Sequence, residues 1–530
     1  MNNNIIKELY FENEPVLSYL PGSKERTALE AELAKIKDAV IDIPVIIGGK
    51  EIRTGNVGKC VLPHNHKKVI AEYHKAGREE IKIAIEEALK AKQKWEELPW
   101  QSKVAIFLRV AELAAGPWRA KLNAATMLNQ SKTYKQAEID SACELVDFMK
   151  YNAYSLQQIY SEQPISTKNV WNKTVYRPLE GFIFAVSPFN FTAISANLTG
   201  APAMAGNTVI WKPASNAVYS AYVVYKLFQE AGVPDGVINF VPSNSGDISD
   251  SVLSNEHLSG IHFTGSTDVF FDLWSTVGNN IRNYRTFPRL VGETGGKNYI
   301  IAHASADRTL IAQGLIDGAF EYQGQKCSAA SRAYISKSVW EDIKDILVNK
   351  ASGLKVGDVE EIDTFMGAVI DKKSFDTIVS YIEYARSSND AEILAGGTYD
   401  DSIGYFVNPT IILTQNPHFK TMEEEIFGPV LTIYLYDDED YSEILSLCNN
   451  TSKYGLTGSI FSKDRCAIEE AEKVLVHSAG NFYVNVRPTG AVVGQQPFGG
   501  SRLSGTNDKA GSKFNMIRWM SPRVTKEYLG

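Results

Sequence analysis

Cysteine is scarce in this 530-residue chain: Cys60, Cys143, Cys327, Cys448 and Cys466 are far apart and form no CxxC pair. An odd, scattered set is neither a disulfide framework nor a zinc knuckle. Long apolar runs are missing too. None approaches the roughly 18 residues of a membrane span, so no membrane association is expected. The leading segment MNNNIIKELYFENEPVL has no basic stretch ahead of an apolar one, and its early glutamates are wrong for an Arg-rich transit peptide. With the free thiols, this leads to the expectation of a reducing, cytoplasmic setting. Positive charge is not in excess either: 54 Lys+Arg against 62 Asp+Glu leave a net charge of −8 with no basic stripe. That balance disfavours a nucleic-acid partner and favours a small-molecule substrate. No GxGxxG follows a strand-like run, and Gly292–Lys297 is no Walker A loop, because Val291 and Asn298 replace its first glycine and its Ser/Thr.

What the chain does contain is core material. A hydrophobic content of 44% over this length is enough for two to four domains. Ile81, Ile85, Ala88 and Trp95 recur at helical spacing, a second amphipathic helix runs from about 102 to 115, and residues 139–157 are helical in pattern. QIYSEQPISTKNVWNKTVYRP reads as a polar hairpin unable to bury a face alone. From residue 181 the short apolar runs GFIFAV, NTVIW, VINFV and SGIHF alternate with helical segments, which is βαβαβ and hence a parallel sheet. A further α/β run lies between about 300 and 480.

Several residues could carry chemistry. Gly265-Ser266 ends a strand just ahead of a helix, where free backbone N–H groups and the positive helix end suit a phosphate; alone it is equally a tight turn. Cys327, flanked by Lys326 and approached through Gly324, reads as an exposed, partly ionised thiol. Alone it could be a small buried hydrophobe. Glu293 alone could be a solvated charge. His64 and His66 have no acidic or thiol neighbour in sequence, so they read as loop residues and no metal site is expected.

Read in order, Ser187-Pro188-Phe189-Asn190-Phe191, Trp211-Lys212-Pro213, Phe263-Thr264-Gly265-Ser266, Gly292-Glu293-Thr294-Gly295-Gly296-Lys297, Gly324-Gln325-Lys326-Cys327, Glu425-Ile426-Phe427-Gly428-Pro429-Val430 and Pro497-Phe498-Gly499-Gly500 resemble the aldehyde dehydrogenase superfamily. The spacing from Glu293 to Cys327 fits that family, and the resemblance runs from about residue 40 to the end. Longer phrases, among them FNFTAISANLTGAPAMAGNTVIWKP and TGAVVGQQPFGGSRLSGTND, resemble the branch that oxidises glutamate-γ-semialdehyde to glutamate in proline catabolism.

The resemblance implies an α/β fold with a Rossmann-like cofactor domain (41–157 and 180–299), an α/β catalytic domain (300–494), a small β oligomerisation flap (158–179 and 495–530) and an N-terminal extension (1–40). It implies Cys327 as nucleophile, Asn190 as oxyanion donor and Glu293 as the base for the hydrolytic water. Ser187, Pro188, Phe189, Lys212, Pro213, Ser215, Gly265, Ser266, Glu425 and Phe427 would line the NAD site. Ser215 stands where many NAD-specific relatives carry a glutamate, which leaves NADP open. Glu144, Ser328, Gly490, Ala491 and Phe498 would hold the substrate. The loop Asn485-Val486-Arg487 departs from the Asn-Asp-Lys pattern of close relatives. A homodimer or higher homo-oligomer is implied, with transient contact to a proline dehydrogenase. The alternatives are a dehydrogenase of another short semialdehyde and a non-catalytic member, although a non-catalytic chain would be expected to lack Cys327 or Glu293.

Overall fold

The computed structural model describes residues 9–530. The first eight residues of the expected N-terminal extension lie outside the described residues. Strands Phe182–Val186, Thr208–Lys212, Ile238–Phe240, Leu258–Thr264 and Arg289–Glu293 form a parallel sheet, which Val45–Ile47 and Lys50–Ile52 extend antiparallel at one edge. Their near-continuous apolar runs follow from helices covering both faces, so alternation is lost. In space the five parallel strands stand with Leu258–Thr264 and Phe182–Val186 adjacent, the point where the chain reverses its direction of winding. Open parallel sheets bind ligands outside the carboxyl ends of the strands at that point. Ser187-Pro188-Phe189 and Gly265-Ser266 leave the sheet there.

A second sheet has the order Ala391–Ala395, Thr410–Thr414, Val430–Tyr436, Ala330–Ser336, Asn298–Ala302, Thr457–Phe461, Asn481–Val484, parallel except for its first strand. Each sheet has its own buried apolar clusters. Gly292–Lys297 links the last strand of the first sheet to Asn298–Ala302 in the second. The loop that follows Glu293 is therefore the seam between them.

The segment read as a polar hairpin is different. Its first residues finish a helix, Leu145–Ser161, and strand Val170–Pro178 pairs antiparallel with Met520–Tyr528 over nine residue pairs instead of folding on itself. Trp171, Val175, Val524 and Tyr528 stay exposed on this two-stranded arm. The sequence pattern showed a ribbon without a partner; the partner strand is about 350 residues away.

Residues 9–40, silent in the sequence, pack against the rest of the fold. Helix Lys24–Asp38 has Ser23 as its N-cap, buries Leu29, Leu33 and Ile36, and lies on helix Arg119–Gln130. Ahead of it, the Tyr19 hydroxyl donates to Glu138 at 2.7 Å, the Leu17 N–H donates to the same carboxylate at 2.8 Å, and Arg119 bridges Glu138 and Glu14. Removing one member of such a buried charged network costs on the order of 3–5 kcal/mol. The segment is fastened by that network.

Candidate active site

Helix Arg308–Phe320 stops before the cysteine because Tyr322, Gln323 and Gly324 take consecutive left-handed conformations, at φ 55, 56 and 65°. Two non-glycine residues hold that geometry at a cost. Buried amides fix it: Gln323 Nε2 donates to Ser131 O at 2.8 Å and Ala368 O at 2.7 Å, and Gln325 Oε1 accepts from the Ile370 N–H at 2.9 Å. Asn298 Nδ2 donates to the carbonyl of Cys327 at 2.6 Å. The thiol that follows this turn is held by its backbone.

Cys327 is 9% exposed and lies on the wall between two hollows. One is an enclosed, mostly apolar cavity with Phe148, Phe191, Glu144, Glu293, Ser328 and Phe498 on its walls. The other is an open cleft at the switch point of the first sheet. The expectation of an exposed, partly ionised thiol is corrected: burial, with the carboxylates of Glu293 and Glu425, pushes Cys327 up to about 12. Lys326 does not help, because its ammonium turns to Glu321 at 2.6 Å. Asn190 Nδ2 donates to Gln325 O at 3.0 Å, which leaves its second N–H without a partner among the described residues, beside the cysteine loop.

Glu293 ends strand Arg289–Glu293 and lines the enclosed cavity. Burial raises its carboxyl well above the usual range, partly offset by the Gly500 N–H donating to Oε2 at 2.9 Å and by Lys509. A carboxylate whose proton affinity is raised this way is a stronger base than an exposed one. The glycines beside it are closely approached, Gly295 by a side-chain end and Gly296 by backbone. A Cβ on Gly295 would sit 2.1 Å from Glu425 Oε2, and one on Gly296 would sit 2.3 Å from the Cys327 carbonyl. Glu425 Oε1 accepts from the Gly296 N–H at 2.7 Å, and burial raises its carboxyl to about 7.

The cleft brings together Ser187, Pro188, Phe189, Asn190, Lys212, Ser215, Gly265, Ser266, Glu425 and Phe427. Phe189 and Phe427 meet edge to face, with ring centroids 5.9 Å apart. Ser266 caps the 13-residue helix Thr267–Asn279, so the amides of its first turn face the cleft. A helix N-terminus, with the Lys212 and Glu425 side chains on the same wall, fits a nucleotide carrying phosphates. Pro213 is buried behind this wall and does not line it. Asp371, Lys373, Ser374 and Thr377 line the cleft from the second sheet's side, outside any quoted motif.

In the enclosed cavity, Glu144 ends a π-helical stretch, Glu138–Glu144, and burial with Asp140 nearby raises its carboxyl. Ser328, Ala491 and Phe498 line the cavity, and Gly490 sits between the lining residues Thr489 and Ala491. The Thr489 hydroxyl is buried and has no partner among the described residues, so it adds a donor that the motif reading missed. The departure at Arg487 has a structural account. Its guanidinium meets Asp317 at 3.0 Å and Glu321 at 3.6 Å, tying the loop to the cysteine's helix.

The profile of the aldehyde dehydrogenase family matches residues 53–523. The chain is 52% identical to the Delta-1-pyrroline-5-carboxylate dehydrogenase, mitochondrial, of Dictyostelium discoideum, over 97% of this chain and 93% of that one. It is 49% identical to the Homo sapiens protein of the same name, over 97% and 92%. The crystal structure of the Delta-pyrroline-5-carboxylate dehydrogenase from Mycobacterium tuberculosis bound with NAD superposes with a TM-score of 0.96 at 48% identity, covering 100% of this chain and 98% of that one. The first two relatives are named mitochondrial, which overturns the cytoplasmic expectation. Free thiols fit any reducing compartment, so they could not single out the cytoplasm.

Proposed function

The chain belongs to the aldehyde dehydrogenase family, and from that premise we propose that it oxidises L-glutamate-γ-semialdehyde, the opened form of Δ1-pyrroline-5-carboxylate, to L-glutamate with NAD, a step of proline catabolism. The observation that carries this reading is the position of Cys327 on the wall shared by an enclosed cavity and a nucleotide-sized cleft. One thiol can then meet a substrate on one side and a hydride acceptor on the other.

Cys327 gives up its thiol proton to solvent as Sγ attacks the aldehyde carbon, and the oxyanion of the thiohemiacetal takes hydrogen bonds from the Asn190 amide and the Cys327 N–H. NAD, when bound in the cleft, supplies the nicotinamide ring that accepts the hydride. Collapse leaves a thioester on Cys327. Glu293 removes a proton from the water that adds to it, and glutamate departs with the thiol restored. Lys212 and Glu425 would hold the two riboses, and Gly265 and Ser266 the pyrophosphate. Ser215, uncharged, contributes no repulsion to a 2′-phosphate. Gly295→Ala is expected to raise KM for NAD+ by about tenfold, the equivalent of about 1.4 kcal/mol, because the new methyl displaces Glu425. An unchanged KM in steady-state kinetics would remove Glu425 from the ribose.

On the substrate side, the α-carboxylate needs donors once water is expelled. The Ser328 hydroxyl and the N–H groups of Gly490 and Ala491 supply them, and Glu144 meets the amino group. Each hydrogen bond to a charged group contributes roughly 1.5–3 kcal/mol. Turnover followed by NADH absorbance is therefore expected to favour the semialdehyde over pentanal by about two powers of ten or more in kcat/KM. Turnover of pentanal within about threefold would instead make this a general aliphatic aldehyde dehydrogenase. The arm of Val170–Pro178 and Met520–Tyr528, with its exposed Trp171 and Val524, supports a homo-oligomer in which a second copy covers it. Transient contact with a proline dehydrogenase would deliver the substrate.

A further inference from the structure

His64 stands in the tight turn between strands Val57–Leu62 and Asn65–His74. The turn is docked on a loop of the second sheet's half: Tyr405 N–H donates to Pro63 O at 3.1 Å, His66 N–H donates to Ile403 O at 3.0 Å, and His66 Nε2 meets Asp401 O at 2.9 Å. Gly404 has no room for a side chain there, since a Cβ would lie 2.6 Å from the His64 carbonyl carbon. His66 is thereby satisfied, and its ring stacks on Tyr405. His64 is not. Its side chain is 3% exposed, and among the described residues neither ring nitrogen has a hydrogen-bond partner.

A buried imidazole with two unmet nitrogens is destabilising, and its surroundings offer a remedy. His64 Nε2 lies 3.6 Å from Asp358 Oδ1, and one donor atom each from His64, Asp358 and Glu360 lies within 4.8 Å of the others. The Glu360 N–H donates to Asp358 Oδ1 at 3.0 Å, so the loop presents both carboxylates on the same side. None of the three residues lines the cavity or the cleft of the active site.

We propose that His64, Asp358 and Glu360 bind a divalent first-row transition cation, with zinc as the natural candidate, which would fasten the hairpin turn to the loop after Ser352. One imidazole nitrogen and two carboxylate oxygens suit such ions better than calcium or magnesium, which take oxygen alone. Open positions would go to water. Lys37 competes, because its ammonium sits 2.7 Å from Glu360 Oε2. Being 40% exposed, it can swing into solvent when the cation enters.

Cobalt(II) added to the chelator-treated full-length protein tests this, read by calorimetry and visible absorption. The expected result is one equivalent bound with ligand-field bands and no intense sulfur-to-cobalt band, which separates this site from the cysteines. His64→Ala should weaken binding by more than the roughly 10–100-fold that a change outside the ligand set costs. Asp358→Asn, on an exposed side chain, should do the same if His64→Ala misfolds. Lys37→Met should tighten binding by about two- to fivefold, the scale of a half-exposed ion pair. No uptake, a sulfur-to-cobalt band, unchanged affinity in a folded His64→Ala or Asp358→Asn, or weaker binding in Lys37→Met would overturn the proposal.

Discussion

Replacing Cys327 with alanine is expected to abolish NADH formation, to below about a thousandth of the parent rate, while NAD+ binding stays close to normal. Loss of a covalent nucleophile commonly costs several powers of ten. The substitution removes one atom from a loop whose shape does not depend on it. Asn298 holds the Cys327 carbonyl, and Gln323 and Gln325 hold the preceding turn, all through the main chain or through other side chains. The cleft keeps its other walls. Cys60, Cys143 and Cys448 are buried away from both hollows, and Cys466 is exposed. Their single alanine variants should keep their turnover per folded enzyme. Activity in Cys327→Ala above that thousandth, measured by NADH absorbance, would count against the thiohemiacetal.

Glu293→Gln is expected to separate the two halves of the reaction. Glutamine keeps the size of the side chain and can still accept from the Gly500 N–H, but it cannot take a proton from water. A rapid-mixing trace should therefore contain a burst of NADH close to one per active site, followed by a steady state slowed by about 10²–10⁴-fold, the range of general-base assistance. Equal slowing of burst and steady state would assign Glu293 to the thiol instead. That alternative has a physical basis here, because Cys327 is pushed up to about 12 and the Glu293 carboxylate is one cause.

The site was legible in the sequence to the extent that its chemistry sits in short segments. Gly265-Ser266 and Ser187–Phe189 are strand ends at the switch point. Gly296 is a glycine because the Cys327 carbonyl leaves no room for a Cβ. Such constraints mark local sequence strongly. Burial and charge do not. Lys326 adjoins Cys327 in sequence, yet it pairs with Glu321, so the thiol is neither exposed nor lowered in pKa. Long-range pairings were equally hidden: the partner of strand Val170–Pro178 is the C-terminal strand, Tyr19 reaches Glu138, and His64 meets Asp358 and Glu360. Asp371 and Thr377 face the cleft from a helix end without any motif.

The central claim is that Cys327 carries the acyl group of glutamate between hydride transfer and hydrolysis. Glu293→Gln, mixed with NAD+ and Δ1-pyrroline-5-carboxylate and acid-quenched after the burst, can be digested and its peptides weighed by mass spectrometry. The account expects the peptide containing Cys327 to gain the mass of one glutamyl group, and expects no gain when NAD+ is left out. NADH formed without that adduct, or an adduct on a different cysteine, would contradict it.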